Sequence, residues 1–97
     1  MKTTTFRNVR ISRERVEKAL AEFERKYPNS NDYDRWLDKK NYKYAILEKG
    51  RCYPPKHILS EVSMVSTKKF SGGDETNDVF RDLCFEIIEK KDCRKGK

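Results

Sequence analysis

The chain has 97 residues, of which 40% are charged and 35% apolar, so it is expected to form one domain of ordinary size with a thin core. Its 11% aromatic content, clustered with Ile, Leu and Val, argues against a disordered chain, it has no apolar run long enough to span a bilayer, and neither a signal peptide nor a lipid anchor is expected. A net charge of +7 and a pI near 9.4 favour a polyanionic partner, most often nucleic acid, over a membrane or a small-molecule substrate, and a cytoplasmic setting is expected.

Residues 1–11, with Thr3, Thr4 and Thr5, show no clear period and are expected to form an extended arm. Ser12 is a candidate N-cap, Glu14 suits a first helical turn, and Val16, Leu20, Phe23 and Tyr27 recur at helical spacing. A helix over about 13–27 follows, ended by Pro28 and the turn residues Asn29-Ser30-Asn31. A second, short helix is predicted from about Asp32, with Tyr33, Trp36 and Leu37 on one face.

The run Tyr42 to Leu47 has strand composition, and Lys49-Gly50 is a turn signal before Arg51-Cys52-Tyr53, which together predict a β-hairpin. Pro54-Pro55 opens a helix whose buried stripe is Ile58, Leu59, Val62 and Val65. The loop Phe70-Ser71-Gly72-Gly73 precedes another helix with Val79, Phe80 and Leu83 facing inward. Phe85, Ile87 and Ile88 suggest a last strand able to join the hairpin, and the basic stretch 90–97 reads as a flexible tail. The expected architecture is thus a single α+β domain over 12–89 in the order α-α-β-β-α-α-β, a short antiparallel sheet packed by helices.

Charge is segregated along this order. Residues 35–69 carry nine basic and three acidic side chains, whereas 74–89 carry six acidic ones against Arg81. Cys52, Cys84 and Cys93 are odd in number and have no CxxC spacing, which argues against a disulfide framework or zinc knuckle, and Cys84 is expected to pack as a small apolar residue. His57, the only histidine, has no nucleophile or ligand set marked around it, so neither a catalytic residue nor a metal or other cofactor is expected. Ser71-Gly72-Gly73 ahead of a helix could cradle a phosphate, but Asp74 and Glu75 would occupy and repel at the same amides, and a structural turn is favoured.

The candidate nucleic-acid-binding residues are Lys43, Lys49, Arg51, Lys56, Lys68 and Lys69 for phosphates, with Tyr42 or Trp36 available to stack on a base. For Trp36, Tyr44 and Phe80 a core position competes with that role. The alternative candidates, for a protein partner, are Asp74, Glu75, Asp78 and Asp82, which with Glu86 and Glu89 form an acidic strip that could mimic phosphates or be an ordinary solvated face.

The residues Arg51-Cys52-Tyr53-Pro54-Pro55-Lys56, then Phe70-Ser71-Gly72-Gly73-Asp74-Glu75-Thr76-Asn77, then Phe80-Arg81-Asp82-Leu83-Cys84-Phe85-Glu86-Ile87, form a pattern. It resembles the small N-terminal head domain of modification-dependent restriction endonucleases of the McrA (HNH) type and of some McrB-like proteins, over about residues 11–89. The family usually has Gly where this chain has Cys84, which implies a slightly different helix exit, and its members continue into reader or nuclease domains, which this protein is expected to lack. The resemblance implies association with DNA modification, restriction or its countering, without cleavage. Two functions are therefore expected: a non-catalytic DNA-recognition module of a defence system, binding duplex DNA, modified or unmodified, through the hairpin and the helix after it; or a small mobile-element inhibitor, an anti-CRISPR or anti-restriction protein, that binds a nuclease or Cas protein directly.

Overall fold

The expected N-terminal arm is a β-hairpin. In the computed structural model, which describes residues 2–28, 35–36, 43–70 and 73–94, strand β1 (Thr3–Phe6) pairs antiparallel with β2 (Val9–Ser12). Arg7 and Asn8 form its two-residue turn, both with positive φ (50° and 68°), the backbone that matches the right-handed twist of paired strands. Phe6 and Ile11 are buried, so the hairpin contributes to the core instead of trailing from it.

Helix α1 (Arg13–Lys26) follows without a break. The Ser12 hydroxyl accepts a hydrogen bond from the Arg15 amide at 3.1 Å, and Val16, Leu20 and Phe23 form the buried stripe that the spacing predicts. The predicted short helix near Asp32 and the stacking candidate Tyr42 fall outside the described residues, except for Arg35 and Trp36.

Strands β3 (Tyr44–Glu48) and β4 (Arg51–Tyr53) are the predicted hairpin, closed by Lys49 and Gly50 at φ 53° and 76°. Strand β5 (Glu86–Glu89) pairs antiparallel with the other edge of β3, so β3 is the central strand of a three-stranded sheet ordered β4-β3-β5. The register puts Ile46, Tyr53 and Ile87 on one face and Ala45, Leu47, Cys52 and Ile88 on the other.

Helix α2 (Pro55–Ser63) starts with Pro55 in its first turn, where a missing N–H costs nothing, and buries Ile58, Leu59 and Val62. It ends at Met64, whose left-handed backbone (φ 64°) reverses the chain into a 3-10 turn, Thr67–Lys69. Helix α3 (Asp74–Asp82) buries Val79 and Phe80, with Leu83 buried just after it. The main core lies between the three helices, the N-terminal hairpin and the Ile46 face of the sheet, and the α+β class is as expected with one hairpin more than the sequence suggested. No helix among the described residues is long and apolar enough to cross a membrane.

Two cysteine expectations are overturned. Cys52 on β4 is joined by a disulfide to Cys93, with Cα atoms 6.2 Å apart. Cys93 belongs to a 3-10 helix, Lys90–Arg94, so this part of the expected flexible tail is structured. Cys84 is exposed, not packed, because its left-handed φ of 67° turns the chain out of α3 before Phe85 re-enters the core.

Candidate nucleic-acid interface

Two basic stretches that are far apart in sequence border Phe70. Lys56, in the first turn of α2, has its Nζ 5.9 Å from the centre of the Phe70 ring, and Lys68 and Lys69 immediately precede Phe70 in the 3-10 turn. The left-handed turn at Met64 brings the second group back toward the first. Its geometry is fixed by the Ser60 hydroxyl donating to the Val65 carbonyl at 2.7 Å and the Val65 amide donating to the Ser63 hydroxyl at 3.2 Å. Ser66 caps the 3-10 turn by accepting from the Lys68 amide.

Phe70 is buried edge-on against Phe6, with ring centres 5.1 Å apart, and Lys56 lies over the Phe70 ring of this pair. Arg7, at the tip of the N-terminal hairpin, lies over Phe6 at 5.6 Å and so joins the same edge. It also pairs with Glu75 at 3.2 Å. Lys68 and Lys69 are exposed and Lys56 is half-buried, and none of the three pairs with a carboxylate among the described residues.

The other sequence candidates are placed elsewhere. Lys49, at the β3–β4 turn, borders a cleft lined by Glu17, Glu24 and Glu48, an acidic setting that disfavours a phosphate. Arg51 donates to the Pro28 carbonyl at 2.8 Å and so secures the hairpin to the end of α1. Lys43 precedes the far end of β3, about 20 Å from Lys49 along an extended strand, where its carbonyl accepts from the Lys90 amide at 2.8 Å. Trp36 is fully buried behind the sheet, which removes it as an open stacking platform in this conformation.

The acidic candidates are partly engaged within the fold. Glu75 pairs with Arg7, Asp82 accepts from the Thr4 hydroxyl at 3.1 Å, and Asp78 pairs with Arg81 at 3.5 Å. Asp74 is exposed at the start of α3, and Glu86 and Glu89 lie on β5, so the six do not line one helix face. Of the glycine turn, Gly73 is described and is the N-cap of α3, with no side-chain cap.

His57 is half-buried on α2 with its ring 5.7 Å from Phe23. Burial lowers its pKa below the usual range; Glu61 offsets part of this and Lys26 adds to it. Among the described residues, no group of three or more His, Cys, Asp or Glu side chains is placed to hold a metal ion. Arg7 is the member of the cluster that sequence reasoning missed, because the hairpin whose turn it forms carries no Asn-Gly signal.

Comparisons with family models, curated proteins and solved structures find nothing that matches this chain.

Proposed function

We propose that this protein is a non-catalytic module that binds the phosphate backbone of DNA through the corner formed by Lys56, Lys68 and Lys69. The observation that supports this is the position of the Lys56 Nζ, 5.9 Å from the ring centre of Phe70, the residue that the exposed Lys68 and Lys69 immediately precede, with no carboxylate partner for any of the three lysines among the described residues. Uncompensated like charges repel one another, and a polyanion relieves that repulsion while releasing its own counterions. The net charge of +7 adds long-range attraction.

The reading keeps the nucleic-acid partner expected from the sequence and moves its centre away from the β3–β4 hairpin. The motif resemblance to restriction-enzyme head domains supports DNA as the partner and a defence setting as its context. The rival reading, an inhibitor that mimics phosphates with its acidic strip, has less support, since Glu75 and Asp82 are engaged by Arg7 and Thr4.

A fluorescence-anisotropy titration with duplex and single-stranded DNA at several salt concentrations tests the proposal. Binding in the micromolar range or tighter, weakening steeply with salt, is the expected result. Absence of binding at low salt removes the nucleic-acid reading and turns attention to a protein partner.

A further inference from the structure

The sheet face turned away from the main core carries a second apolar cluster. Trp36, Ala45 and Cys52 are buried there, flanked by Leu47, Ile88 and Cys93. The segment Lys90–Arg94 contributes the last of these, and Cys93 is its single apolar side chain.

Among the described residues, the disulfide is the one covalent tie between that segment and the sheet. The Lys90 amide donates to the Lys43 carbonyl at 2.8 Å, and its Nζ approaches the Trp36 carbonyl at 3.4 Å. Lys91 pairs with Glu89, but both side chains are exposed and such pairs contribute little. A 3-10 helix of five residues has no stability of its own.

We propose that the Cys52–Cys93 bond is a redox-controlled clasp. Closed, it holds Lys90–Arg94 against the back of the sheet over Trp36. Opened by a dithiol reductant, it frees the segment and uncovers Trp36 as a new aromatic surface.

In the opening step a reductant thiolate attacks the sulfur of Cys93, the less buried of the pair, and Cys52 leaves as a thiolate. The reductant's second thiol then displaces Cys93 from the mixed disulfide. Two electrons and two protons pass to the two cysteines, and the reductant departs as its own disulfide. Closure is the reverse reaction with a disulfide oxidant. The clasp is independent of the nucleic-acid reading, and its test contains no nucleic acid.

Trp36 is the single tryptophan of the chain, so its fluorescence reports on this face alone. The test uses the full chain with Cys84→Ser, which removes the exposed third thiol and prevents exchange. Reduction with dithiothreitol is expected to shift Trp36 emission to the red and raise acrylamide quenching several-fold. Amides of β3 and α1 are expected to keep their hydrogen-exchange protection, and Cys93→Ser to reproduce the reduced state without reductant. Unchanged emission and quenching after both thiols are shown to be free overturns the clasp. Loss of protection throughout the domain also overturns it, because the bond is then a general staple. Alkylation of both cysteines in the oxidised protein overturns it as well.

Discussion

The guanidinium of Arg13 lies over the ring of Phe85, its central carbon 4.1 Å from the ring centre, and thereby joins the first residue of α1 to the chain leaving α3. The same group donates to the Leu83 carbonyl at 2.7 Å and reaches Glu17 at 3.2 Å and Glu48 at 3.7 Å. A planar fork can make these contacts at once, whereas a lysine ammonium cannot. Arg13→Lys is therefore expected to destabilise the fold by about 1–2 kcal/mol, a fall in Tm of about 5–10 °C. Thermal unfolding followed by circular dichroism checks this, and an unchanged Tm would show that the charge alone matters.

The Phe70 corner makes a comparative prediction about DNA binding. Lys68→Ala and Lys69→Ala should each weaken binding on every sequence alike and reduce the salt slope by about one. Lys49→Ala, in its acidic cleft, should leave both quantities unchanged. Arg51→Ala should lower stability through loss of the bond to Pro28 and affect DNA affinity little. Equal effects from Lys49 and Lys69 would mean that charge in bulk, not this corner, drives association.

Much of this fold was legible because its signals are local. Ser12 through Tyr27 carries a cap, a period and a stop; Lys49-Gly50 marks a turn; Pro55 marks a helix start. The N-terminal hairpin was not legible because Arg7-Asn8 replaces the usual Asn-Gly turn signal and the three threonines give no alternation. The disulfide escaped because a separation of 41 residues has no spacing signature, and only the sheet register turns Cys52 toward Cys93. The lysines of the candidate site were each identified, but their grouping depends on a left-handed turn at Met64, a residue with no preference for that conformation.

Cys84 has φ 67°, the left-handed region in which a side chain is strained and glycine is not. Because Cys84 is exposed, removing its side chain forfeits no packing. Cys84→Gly is expected to stabilise the domain by roughly 1 kcal/mol, seen as a higher denaturant midpoint with an unchanged m-value. A lower midpoint would show that the thiol makes a contact that matters.

Tyr53 is the ionisable group with the clearest consequence for alkaline stability. Burial, then the charge of Glu24 and the 3.2 Å hydrogen bond to it, raises its pKa from 10.0 to about 12. The folded state then retains a proton that the unfolded state has lost, so this contribution is complete below pH 10 and disappears as the pH rises toward 12. Its size is on the order of 2 kcal/mol. Urea unfolding at pH 9 and pH 11.5 should show a steeper alkaline loss for the native protein than for Tyr53→Phe. Equal losses would place the phenol in contact with water.

The central strand has consequences for how the chain is made. β3 is complete only when β5 is added, and that partner arrives some forty residues later, after α2 and α3. Until Glu86–Glu89 has left the ribosome, β3 presents an unpaired edge. Closing so long a loop comes before its reward, so the domain should assemble in one late step once β5 has emerged and not strand by strand. Nascent chains stalled before residue 86 should accordingly remain sensitive to protease, and those stalled with residue 94 already outside the exit tunnel should not.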